Sequence, residues 1–128
     1  MQKFEIGITD EFEAAHSLKG DFGPATRVHG HTYKVEVRVE APDIDATGTF
    51  MHLGGLRSSL RAVLEPLHYR NLNEIAEFAG ANTTAETLAR HILIKLSLEL
   101  RNAGADAARV TVWESPSSFA SYRESFER

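Results

Sequence analysis

The stretch VHGHTYKVEVRVE, residues 28 to 40, constrains the fold more than any other part of the chain. From Tyr33 onward the apolar Tyr33, Val35, Val37 and Val39 alternate with the charged Lys34, Glu36, Arg38 and Glu40, the two-residue period of a half-buried strand. His29 and His31 carry the same odd parity as the apolar residues. If the strand begins at or before His29, both imidazoles point inward, and a reason is needed for aiming two histidines at a core.

Upstream, residues 3 to 16 alternate with Phe4, Ile6, Ile8, Phe12 and Ala14 on one side, interrupted only by Asp10, and His16 falls on that same even parity. This predicts a long first strand. Residues 17 to 27, SLKGDFGPATR, hold two glycines and a proline and read as a loop joining two strands of a hairpin. After Phe50 the period changes. Leu53, Leu56, Leu60, Val63, Leu64 and Leu67 follow helical spacing, predicting a first helix over 53 to 65 that ends near Pro66. Thr83-Thr84-Ala85-Glu86 has the form of a capping box, with Thr83 as the cap and Glu86 reaching back. It opens a second helix that runs through Leu88, Ile92, Leu96 and Leu100 to the NAGAD stop at 102 to 106. RVTVWES and FASYRESF then read as two short strands around Ser115-Pro116-Ser117-Ser118. The expected order is β-β-α-α-β-β, an α+β layer of two helices on one face of an antiparallel sheet, forming a single domain over residues 1 to 128.

With 128 residues the chain can bury a core without covalent staples, and it contains no cysteine. Disulfides, thiolate ligands and cysteine nucleophiles are thereby excluded, and any metal must be held by histidines and carboxylates, as a reducing cytosol permits. The 14 basic residues are scattered among 18 acidic ones, for a net charge of −4, which argues against a nucleic-acid-tracking surface. The N-terminus has no uninterrupted apolar run and nothing approaches the about 20 apolar residues of a membrane span. A soluble, cytoplasmic protein with no membrane partner is expected.

Zinc takes neutral imidazole readily, and a catalytic site commonly uses three protein ligands with a fourth position open. An H-x-H pair on one strand face and a histidine at the end of the neighbouring strand could supply three: His16, His29 and His31. A lone inward histidine is more often a hydrogen-bonded core residue, so spacing alone leaves both readings open.

FEAAHSL, HGHTYKVEV, PLHYRNLN, TTAETLA and VTVWES, in that order and spacing, resemble the 6-pyruvoyl-tetrahydropterin synthase and 6-carboxy-tetrahydropterin synthase family, from about residue 3 to about residue 124. The resemblance implies the tunnelling fold, in which β-β-α-α-β-β subunits join their sheets into a barrel, commonly as a hexamer of two trimers. It implies that His16, His29 and His31 are zinc ligands. It also implies that Glu114 anchors a pterin by accepting hydrogen bonds from the 2-amino group and a ring N–H. Val110, Val112 and Glu114 share a parity, which independently puts a carboxylate beside core residues. Thr84 and Ala85 fall in the family's substrate-contacting segment, a role compatible with helix capping.

The resemblance stops at the acid/base machinery. The family's proton-abstracting cysteine, four residues before HGH, corresponds here to Ala25, and its Asp-His pair corresponds to His68 and Tyr69 in Pro66-Leu67-His68-Tyr69. Two readings follow. One is a binding module that holds a pterin-like small molecule without the synthase reaction. The other is an enzyme with a rewired acid/base set, in which His68 is a general base and Tyr69 a proton donor. Outside the family stands a metal-free barrel with three structural histidines. His52 and His91 receive no role.

Overall fold

The computed structural model describes residues 3–126. Two long strands, β1 (Phe4–His16) and β2 (His29–Ala41), pair antiparallel from Phe4↔Ala41 to His16↔His29. The alternation appears directly as burial: Tyr33, Val35, Val37 and Val39 are fully buried while Lys34 and Arg38 are exposed. Strand β2 begins at His29, so both histidines of the H-x-H keep the core-side parity. Asp10, the break in the β1 pattern, is answered by a cation, since its Oδ1 accepts from Arg61 Nη1 at 3.1 Å.

Helix α1 (Leu53–Leu64) passes directly into a 3-10 turn, Glu65–Leu67. Pro66 lies at the start of that turn, where its missing N–H costs no hydrogen bond. Helix α2 (Ala85–Asn102) closes at Gly104, whose φ of 95° allows Gly104 N–H to reach Arg101 C=O and Ala105 N–H to reach Leu100 C=O, the paired bonds of a Schellman stop. Its cap differs from the expectation. Thr84 is the cap: its hydroxyl oxygen accepts from Thr87 N–H at 3.2 Å, and Glu86 becomes an acid of the first turn, favourable to the helix dipole. Thr83 is fully buried and faces His16 instead.

Strands β4 (Ala107–Ser115) and β5 (Ser118–Ser125) complete the hairpin predicted around Ser115–Ser118. A two-residue strand, β3 (Arg70–Asn71), runs parallel to β1 through Ala14↔Arg70 and Ala15↔Asn71. The sheet therefore has the order β3-β1-β2-β4-β5 and is mixed rather than wholly antiparallel. Two residues are too few to show a period, which is why the sequence pattern conceals β3. Between sheet and helices lies one core, in which Ile8, Phe12, Val37 and Val110 meet Leu56, Leu60, Leu88, Ile92 and Leu96. At about 25 cal/mol per Å² of apolar area removed from water, that contact is the main force holding the helices on the sheet. Among the described residues no helix is long and apolar enough to cross a membrane.

Candidate metal centre and adjoining cavity

The β1–β2 register places His16 directly opposite His29, with His31 one core-side position further along β2. Their ring centroids lie 4.6, 4.8 and 5.2 Å apart, and one ring nitrogen from each falls within 4.8 Å of the others. Three neutral imidazoles this close make no hydrogen-bonded set by themselves. His16 Nε2 and His31 Nε2 are buried and have no hydrogen-bond partner in the protein.

The opposite nitrogens explain the orientation. His16 Nδ1 lies 2.7 Å from the Thr83 carbonyl and His29 Nδ1 lies 2.7 Å from the Arg27 carbonyl. A carbonyl only accepts, so each Nδ1 carries the proton and each Nε2 keeps its lone pair. This is how backbone acceptors hold metal-ligating histidines in one tautomer. An orphaned lone pair with a carbonyl behind its ring at His16, a second orphaned lone pair at His31 and a carbonyl-held ring at His29 fit a divalent metal better than a packed core does. His16, buried to 1% exposure, is held below the ordinary histidine pKa. Burial is the largest cause, followed by the opposing Thr83 hydrogen bond and then by the neighbouring histidines, so the ring is in its ligating form.

Glu114 sits where β4 and β5 slip register between Trp113 and Ser115, a bulge of the kind that re-aims a side chain. Its carboxylate is close enough to raise the proton affinity of both His16 and Tyr33. Tyr33, stacked on Phe12 at 4.9 Å and 5.2 Å from His31, has its phenol pushed far above the ordinary value, by burial first and by Glu114 second. The loop after His16 is clamped by two asparagines that no sequence pattern singled out. Asn73 exchanges hydrogen bonds with Ser17, at 2.8 and 3.0 Å, and Asn82 with Lys19, at 2.8 Å in both directions.

The remaining predicted positions divide. Thr84 is half-buried with its hydroxyl committed to Thr87, and Ala85 turns its methyl into the core. Ala25 lies in a 3-10 turn, Gly23–Thr26, whose chain is closed by Leu18 N–H to Ala25 C=O at 2.9 Å. His68 Nδ1 accepts from Glu13 N–H at 3.1 Å. Its lone pair is thus already used, and the other nitrogen carries the proton. Tyr69 has a φ of 57°, left-handed for a bulky residue, and is held there by Tyr69 N–H to Glu13 C=O at 2.6 Å. Beside it, Glu13, Gly30, Thr32, Tyr69 and Arg70 line a cavity of about 580 Å³ to which His31 also contributes.

Comparison with known proteins agrees with this architecture. The family model described as 6-pyruvoyl tetrahydropterin synthase matches residues 5–125. The 6-carboxy-5,6,7,8-tetrahydropterin synthase of Haemophilus influenzae is 27% identical over 144 residues, covering 94% of this chain and 99% of the relative. The structure of Caenorhabditis elegans 6-pyruvoyl tetrahydropterin synthase superposes with a TM-score of 0.84 at 26% identity, covering 98% of both chains. The Plasmodium vivax enzyme of that name has the same fold, with a TM-score of 0.82 at 19% identity over 98% of this chain and 100% of that one. The fold is the α+β tunnelling fold, and the chain belongs to the 6-pyruvoyl tetrahydropterin synthase family.

Proposed function

We propose that the protein binds a pterin-like heterocycle through Glu114 and the start of α2, beside a zinc ion held by His16, His29 and His31, and that it does not carry out 6-pyruvoyl-tetrahydropterin synthesis. The observation that carries this reading is a division within one site. Three histidines that could hold a metal converge, with the Glu114 carboxylate near enough to act on His16, while Ala25, His68 and Tyr69 stand where the resemblance leads one to expect a cysteine, an aspartate and a histidine.

Each side chain then has a role stated by its chemistry. The half-buried Glu114 carboxylate accepts from the amino group and ring N–H of the heterocycle. The Thr83 and Arg27 carbonyls keep His16 and His29 as Nε2 ligands. Bound zinc supplies Lewis-acid polarisation of a ligand oxygen. What is missing is a placed base. Proton transfer by such a group is worth roughly 10²–10⁴-fold, and an alanine methyl supplies none of it. His68 does not replace it, because its acceptor nitrogen is occupied by Glu13 N–H.

We further propose a homo-oligomer, a hexamer built as a dimer of trimers. Beyond Ala14–Ala15 the outer edge of β1 has no partner strand among the described residues, and neither has the outer edge of β5. Edges this long are ordinarily covered by another chain.

The test is a fluorescence titration of purified protein with biopterin and neopterin, run beside Glu114→Gln. Trp113, the chain's one tryptophan, is adjacent to Glu114 and serves as reporter. Saturation at micromolar ligand that is lost in the variant supports the reading. No saturable binding, or turnover of dihydroneopterin triphosphate by metal-loaded protein, overturns it.

A further inference from the structure

The sheet face away from the helices carries a feature that an alternating strand does not require. Solvent-side positions of such strands are ordinarily polar, yet Trp113 and Phe119 stand there directly opposite one another, with ring centroids 4.6 Å apart. Phe119 is 59% exposed. The β2–β4 register sets Lys34 on the other flank of Trp113, so the three side chains form one row across β2, β4 and β5. Lys34 Nζ lies 6.0 Å from the centre of the Trp113 ring. Glu114, the next residue along β4, alternates to the opposite face, where it acts on His16.

Beside this row, Thr32, Lys34, Trp113, Ser115 and Pro116 line a cavity of about 460 Å³, a volume in the range of small-molecule sites. Its polar groups divide into two sets. Thr32 Oγ1 donates to Glu13 Oε1 at 3.3 Å, and Ser115 Oγ accepts from Ser117 N–H at 3.3 Å, so both hydroxyls are already engaged. Lys34 makes no ion pair among the described residues, although Glu11 is its register partner on β1. Trp113 Nε1 is buried and has no hydrogen-bond partner in the protein, whereas a buried indole N–H ordinarily has one. Both uncommitted groups are donors, and one of them is a cation.

We propose that this cavity is a second ligand site, on the sheet face opposite the histidines, which takes a planar aromatic carboxylate, its ring against Trp113 and its carboxylate on Lys34 Nζ. Charge and shape select this class together. A cationic ligand would be repelled by Lys34, and a neutral aromatic would leave the ammonium and the indole N–H without an acceptor. A small anion with no ring would gain nothing from the apolar surface that Trp113 and Phe119 present.

The test is calorimetry on the full-length protein with three probes: 2-naphthoate, its neutral counterpart naphthalene-2-methanol, and acetate, which has the charge without the rings. In the wild type, 2-naphthoate is expected to saturate at one per chain with a dissociation constant of about a millimolar or tighter, and naphthalene-2-methanol to bind about tenfold more weakly. Acetate should give no saturable heat. Lys34 is exposed, so Lys34→Gln keeps the fold; it should weaken 2-naphthoate about tenfold and leave the alcohol unchanged. Trp113→Leu should abolish saturation by 2-naphthoate, and if that variant fails to fold, Lys34→Gln decides. Neither EDTA nor Glu114→Gln should alter 2-naphthoate binding, which separates this site from the one proposed for the pterin. No saturation by 2-naphthoate, equal affinity for the alcohol, or equal affinity in Lys34→Gln overturns the proposal. Loss of binding in EDTA or in Glu114→Gln also overturns it, by moving the ligand to the histidine face.

Discussion

Replacing His31 with phenylalanine separates a metal centre from a cluster of packed histidines. In the metal-free protein His31 Nε2 is buried without a partner, and such an atom costs about 1–3 kcal/mol relative to a satisfied one. Phenylalanine fills similar volume without the polar atom. The metal-free His31→Phe variant should therefore be as stable as the wild type, or up to about 2 kcal/mol more stable. Metal reverses the order. At 100 times its dissociation constant, an ion that binds only the folded state contributes about 2.7 kcal/mol. For 128 residues, an unfolding entropy of about 2.1 cal/mol/K per residue turns this into a rise in Tm of about 10 °C. Differential scanning fluorimetry with EDTA and with zinc reads both quantities. The expected pattern is a zinc-dependent rise in the wild type and none in His31→Phe, whose chelated Tm is equal or higher. A wild type that melts at one temperature in EDTA and in zinc, or a variant destabilised by more than about 1 kcal/mol without metal, would refute the reasoning.

Burial lowers the pKa of both His16 and His91. The unfolded chain then binds more protons than the native one below about 6.5, so metal-free stability should fall as the pH drops from 7 toward 5. His91→Gln should flatten that fall in urea titrations at several pH values, and an unchanged slope would count against the assignment. Thr84→Ala should cost about 0.5–2 kcal/mol by removing the α2 cap, whereas a capping role for Thr83 would leave it neutral. Leu96→Ala, in the packed face of α2, should cost about 2–5 kcal/mol in urea denaturation; a smaller loss would mean that the helix packs more loosely than its 2% exposure indicates.

The long elements were legible because each repeats its instruction. Four alternations in β2 and four apolar contacts in α2 outweigh any single exception, and the parity of His16, His29 and His31 followed from them. Features set by one or two residues were not. Thr83 and Thr84 are chemically equivalent as caps, and the choice between them is made by His16, 67 positions away, whose ring takes the Thr83 carbonyl. Strand β3 exists because Glu13 receives Tyr69 N–H, and the clamp by Asn73 and Asn82 depends on where the loop after His16 lies. Such contacts are long-range and leave no local period.

The direct opposition of His16 and His29 also bears on how such a site can evolve. Twelve intervening residues, 17 to 28, leave the sheet at one histidine and return at the other, so the ladder alone sets the separation of the two rings. Substitution, shortening or lengthening of that excursion leaves the ligand geometry untouched, whereas a one-residue slip between β1 and β2 would turn the imidazoles to the opposite face. Ala25 belongs to the excursion. The excursion, Ala25 included, can thus vary while strand pairing keeps the two rings opposed, because the two parts of the chain have different mechanical obligations.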